Sequence, residues 1–137
     1  MKLTNHFNSQ EFACKDGTAV PDKYLPNVQK LAKNLQIIRD RLNEKYGKKV
    51  GKEISIVINS GFRTASYNKR VGGASSSQHL TASAGDSKAT GITIKQYYDT
   101  ILELIKEGKI HNGGVGLYNT FVHYDIRKNP ARWDYRT

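Results

Sequence analysis

The chain has 137 residues, 37% of them hydrophobic, with eight tyrosines, four phenylalanines and one tryptophan. That is enough for one buried core, and it argues against a disordered chain. A formal charge of +10 and a pI near 9.7 favour a polyanionic partner: nucleic acid, an acidic membrane or an anionic cell wall. The lone Cys14 excludes an internal disulfide, and it reads as a small, partly buried apolar residue. The N-terminus has no apolar run of a secretion signal, and no stretch reaches transmembrane length.

In chain order, the first strong element is a helix. Val28, Leu31, Ala32, Leu35, Ile38 and Leu42 form an apolar stripe at helical spacing. Asn27, after Pro26, is its expected N-cap, and Gly47 its expected stop. "EISIVIN" reads as a strand with Ile54, Ile56 and Ile58 on one face. "SSSQHLTASAGDSKATG", Ser75 to Gly91, is nearly all small residues and reads as a loop. A second helix follows a capping box, Thr93 to Gln96, carries Ile94, Tyr97, Ile101, Leu104 and Ile105, and ends at Gly108. After the glycine turn "NGGVG" comes the strand "FVHYDIR". The expected fold is a single α+β domain over residues 1–137, a small antiparallel sheet faced by helices.

Side-chain alternation in "FVHYDIR" places Val122, Tyr124 and Ile126 on one face and Phe121, His123, Asp125 and Arg127 on the other. The small-residue loop supplies His79 and Asp86. Two histidines and one aspartate match a catalytic zinc site, with three protein ligands and a fourth position open; the competing reading is solvated loop residues. His6 and His111 have no partner at ligand spacing and read as exposed. Trp133 in "NPARWDYR" reads as an anchor for the tail, with substrate stacking as the alternative.

Taken together, "INSGFRTASYNKRVGGASSSQHLTASAGD" and "GGVGLYNTFVHYDIRKNPARW", with "FNSQEFACKDG" near the start, resemble the M15 zinc peptidases, in particular the small D-Ala-D-Ala carboxypeptidase-like proteins of bacteria and phages. The resemblance implies one zinc per chain, held by His79, Asp86 and His123. It puts Arg63 of "SGFR" where an arginine binds substrate and stabilises an oxyanion; a surface arginine after a turn is the plainer alternative. Gln78 and Tyr118 become candidate substrate contacts. The implied reaction is amide hydrolysis in peptidoglycan stem peptides containing D-amino acids, by a monomer. With no signal peptide, such an enzyme would reach the wall as an endolysin through a holin, or as part of a virion.

The sequence also departs from that pattern. Ala82 stands at a usual glycine, Gly85 at a frequent alanine, and Ser87 at a usual aliphatic residue. Thr120 occupies the position, three before the last histidine, where several M15 peptidases place a catalytic carboxylate. Asp125 is then the candidate general base, against two other roles: orienting a ligand histidine, or pairing with Arg127. Two alternatives to an enzyme stand beside this reading. One is a non-catalytic zinc-binding wall or receptor module, since hedgehog signalling domains share the scaffold. The other is a nucleic-acid binder, disfavoured because the basic residues are scattered and no nucleic-acid module frames them.

Overall fold

The computed structural model describes residues 1–137. Helix α1 spans Leu25–Val50 and is followed by strand β1, Ile56–Ser60, and a short helix α2, Ala65–Arg70. Strand β2 is Ala84–Ala89, helix α3 is Ile94–Lys106, and strands β3 (Gly114–Leu117), β4 (Val122–Asp125) and β5 (Ala131–Asp134) complete the chain. The five strands form one sheet in the order β1-β2-β4-β3-β5. The fold is α+β as expected, but the sheet is mixed, because β5 joins β3 in parallel while the other pairings are antiparallel.

The apolar stripe of α1 is buried as its spacing requires: Val28, Leu31, Ala32, Leu35, Ile38 and Leu42 all lie in the core. Its ends differ from expectation. Pro26 sits inside the first turn, where its missing N–H costs no intrahelical bond. Asn27 does not cap; its side-chain amide donates instead to the Thr81 carbonyl at 2.9 Å. Gly47 is carried within the helix, and the left-handed residue that ends it is Gly51, at φ 83°. Helix α3 begins with the expected capping box between Thr93 and Gln96. An arginine on α1, Arg41, bonds both Glu103 and Glu107 at the far end of the α1–α3 contact.

Two stretches read as loop or turn are strands. "AGDSKA" forms β2, second in the sheet, where it pairs with β1 on one side and β4 on the other. Within "NGGVG", Gly114 to Gly116 belong to β3. Strand β3 depends on small residues where other groups approach. A Cβ on Gly114 would strike the Asp125 carboxylate, and one on Gly116 the Trp133 indole.

Alternation along β2 sorts its side chains between the faces. Gly85 lies over Leu31 of α1, and the Ser87 hydroxyl meets the Tyr97 hydroxyl of α3 at 2.7 Å, both buried. Asp86 therefore faces away from the helices. Ser87, odd against the family pattern, is explained by this hydroxyl pair. Tyr97→Phe should leave the Ser87 hydroxyl without its partner and destabilise the protein by about 1–3 kcal/mol, read from denaturant unfolding. An unchanged midpoint would mean that water replaces the lost bond.

Candidate metal centre

The site lies on the face of the sheet away from α1 and α3. Asp86 on β2 and His123 on β4 are direct cross-strand partners, so the sheet register alone brings carboxylate and imidazole together. The third residue, His79, arrives from a single 3-10 turn, Gln78–Thr81, whose entry is capped by the Ser77 hydroxyl accepting from the His79 N–H. That turn ends in Ala82 at φ 57°, the one non-glycine residue in the left-handed region. A glycine is ordinarily preferred there by about 1 kcal/mol, and the departure at this position therefore carries backbone strain.

All three side chains are buried. Their ligand atoms lie within 4.8 Å of one another. The His79 Nδ1 is 2.7 Å from the Gly61 carbonyl. A carbonyl only accepts, so Nδ1 carries the proton and Nε2 presents its lone pair, 3.3 Å from Asp86 Oδ2. Gly61 can offer that carbonyl because it has no side chain: a Cβ would meet the Phe12 backbone at 2.7 Å.

His123 stands between two carboxylates, with Nδ1 2.8 Å from Asp86 Oδ1 and Nε2 2.7 Å from Asp125 Oδ2. Burial works against its protonation, but the bonds to Asp125 and Asp86 outweigh burial and raise its pKa above the ordinary histidine value. Burial likewise raises the Asp86 carboxyl, and the bond from His123 together with the nearness of His79 more than reverses this, leaving it well below the usual carboxylate range. Without a cation the site thus favours an imidazolium at His123. A metal ion bound between Asp86 and the histidines would take the place of the Nδ1 proton, while Nε2–H stays donated to Asp125. One aspartate and two outward-facing imidazole nitrogens are a donor set suited to zinc, so the residues fit the expected ion.

Asp125 is 0% exposed and lies behind His123. Its Oδ1 accepts from the backbone N–H of Gly114 and of Arg127, and the Arg127 guanidinium closes on both its oxygens at 2.6–3.0 Å. Burial raises this carboxyl too, and His123 and Arg127 bring it well below the usual range. Arg63 is half-buried beside the open side of the site. Its Nε donates to the Ser60 hydroxyl at 3.2 Å and its Nη1 to the Asn68 amide oxygen at 3.2 Å, and Nη2 lies 3.5 Å from Asp86 Oδ2.

A cleft of about 550 Å³ opens over the three residues. Arg63, Gln78 and Tyr118 line it; Thr120 is exposed and lies outside it. Trp133, Arg127 and Tyr135 also line it, and sequence reasoning missed them. Trp133 is more than a tail anchor: its Nε1 donates to the Tyr118 hydroxyl at 2.9 Å, and its ring lies 5.0 Å from that of His123. The Arg127 guanidinium covers the indole at 5.2 Å. The strand parity that put Arg127 beside His123 and Asp125 was the available signal. His111, read as exposed, is half-buried, with its Nε2 bonded to the Arg127 carbonyl at 2.7 Å.

Residues 5–125 match the family model for peptidase M15. The chain belongs to the M15 peptidases. A search of curated proteins finds no match. As an M15 member the protein is a metallopeptidase of a zinc-dependent family, and the matched span contains His79, Asp86 and His123. It ends at Asp125, so β5 and the Trp133 side of this M15 cleft lie beyond it. No helix is long and apolar enough to cross a membrane.

The protein purified without chelator should carry about one zinc per chain, and His79→Ala, Asp86→Ala or His123→Ala should each deplete it. Because the His123 proton is held more tightly than in a free histidine, protons should compete with zinc from above the ordinary histidine pKa, and affinity should weaken as pH falls. Metal titrations between pH 8 and 5 that show constant affinity would remove His123 from the ligand set.

Proposed function

We propose that the protein is a zinc-dependent peptidoglycan peptidase, cutting an amide bond in the D-amino-acid-containing stem peptide, as a phage-type endolysin or a D-Ala-D-Ala carboxypeptidase. The observation that carries this is the buried His79–Asp86–His123 group at the floor of an open cleft, with a guanidinium fixed at its rim. The charge of +10 supports an anionic wall as the working surface.

Zinc, when bound, supplies Lewis acidity toward a carbonyl and toward water. Arg63, clamped by Ser60 and Asn68, is positioned to take charge developing on the substrate oxygen. Gln78 and the Tyr118 hydroxyl are the proposed hydrogen-bonding contacts to the stem peptide. Asp125 was the expected base, but its oxygens are occupied by Gly114, Arg127 and His123 and it does not line the cleft. The role its surroundings favour is positioning: it holds the Nε2–H of His123, fixing the tautomer and ring.

With Thr120 exposed and Asp125 enclosed, Asp86 is the only carboxylate in the cleft lining. That favours a second reading, a non-catalytic zinc-binding wall or receptor module on the same scaffold. Incubation with purified peptidoglycan and mass spectrometry of the released fragments separates the two. A peptidase should release stem-peptide products, lose activity with chelator and regain it with zinc, while casein-like proteins stay intact. Zinc retention with no released fragment would establish the binding module.

Two variants apportion the roles. Asp125→Asn should weaken zinc binding by about 10–100-fold; normal zinc affinity with turnover down roughly 10²–10⁴-fold would make Asp125 the base after all. Arg63→Ala should keep zinc and lower kcat by roughly 10²–10³-fold. Unchanged turnover would return Arg63 to the surface.

A further inference from the structure

A second cleft, of about 680 Å³, runs along the outer edge of β1 and shares no lining residue with the cleft over His79, Asp86 and His123. Strand β1 ends the sheet. The Thr90 N–H bonds the Ser55 carbonyl, and Val57 pairs with Lys88 two residues on. By the alternation of an antiparallel ladder, the N–H and C=O groups of Ile56 and Ile58 point away from β2, toward this cleft. They form an unpaired strand edge, and Lys15 and His6 also line the cleft.

The cleft also holds a charge without a hydrogen bond. Arg39 of α1 is 7% exposed and lines it. Its guanidinium makes no hydrogen bond; its one ion pair is with Glu53 Oε2 at 3.8 Å, on a side chain that is 76% exposed, and one carboxylate, Glu11, lines the cleft beside the cations Arg39 and Lys15. No fully enclosed polar side-chain atom in the protein lacks a partner. The open part of the Arg39 guanidinium must therefore face solvent, and the cleft is the solvent space it lines. A cation withdrawn this far from water is costly unless an anion meets it.

We infer that this cleft binds an extended peptide segment bearing a carboxylate. The segment adds as a sixth strand along Ile56 and Ile58, with its carboxylate on Arg39. Main-chain pairing to a free strand edge supplies affinity without sequence choice. The planar guanidinium supplies the choice, because it matches a carboxylate with two parallel bonds. Lys15 and the net charge of +10 add attraction for an acidic partner. This site stands apart from the zinc centre, and its occupancy requires neither metal nor hydrolysis.

The test is a titration of the unaltered, isotopically labelled protein with a blocked five-residue peptide of threonine and valine carrying one central glutamate, followed by amide and arginine Nε–H resonances. The expected result is saturable shifts at Ile56, Ile58 and the Arg39 Nε. The same peptide with glutamine in place of glutamate should bind at least fivefold more weakly, and a version with its edge-facing amides N-methylated should not bind. The inference is overturned if Ile56 and Ile58 do not shift, if shifts appear only around His79 and His123, or if the glutamine or N-methylated peptide binds as well as the parent. No arm alters the chain, so folding does not enter the comparison.

Discussion

The cross-strand pairing of Asp86 with His123 is the constraint on which the site depends. It sets carboxylate oxygen and imidazole nitrogen 2.8 Å apart across neighbouring strands, and neither strand can slip by one residue without sending its own member of the pair toward the helices. What faces the helices enforces that register from the other side. Gly85 lies against Leu31, Ser87 meets Tyr97, and Val122 and Tyr124 fill the core. Core packing and ligand placement are thus two faces of the same pairing.

Around this pair the remaining groups act by direction. His79 is turned by the Gly61 carbonyl so that Nε2 faces Asp86, and His123 is turned by Asp125 so that Nδ1 does. The two imidazoles therefore present opposite nitrogens to one centre. Arg127 joins the layers: it neutralises Asp125 behind the site and covers Trp133 at its mouth. A change at Arg127 would reach the ligand set through Asp125 and the cleft wall through the indole, so its effects on metal and substrate would be mixed. Asp125 reaches His123 through one bond, and it also anchors Arg127.

The sequence revealed elements wherever the periodic signal came from the residues themselves. The stripes of α1 and α3, the Thr93–Gln96 box and the parity of "FVHYDIR" all depend on local spacing, and the structure keeps them. Strand β2 was invisible because its composition is that of a loop. Its extended form is imposed by β1 and β4 on either side. The glycines of β3 misled for the same reason, since Asp125 and Trp133 occupy the space their side chains would take. The three residues that cluster, His79, Asp86 and His123, were legible as types and positions. The cleft wall at Trp133, Arg127 and Tyr135 was not, because it depends on β5 returning in parallel beside β3. No feature of "NPARWDYR" announces that return.

On the proposed reading one zinc ion would be held through His79 Nε2, Asp86 and His123 Nδ1, with His123 Nε2 left to Asp125. The most direct measurement is a crystal structure of the zinc-loaded protein with anomalous data at the zinc absorption edge. The account predicts one strong peak at about 2.0–2.1 Å from those two nitrogens and a similar distance from Asp86, with the His123–Asp125 bond intact. A peak bonded to His123 Nε2, a broken His123–Asp125 bond, or no peak among the three residues would contradict it.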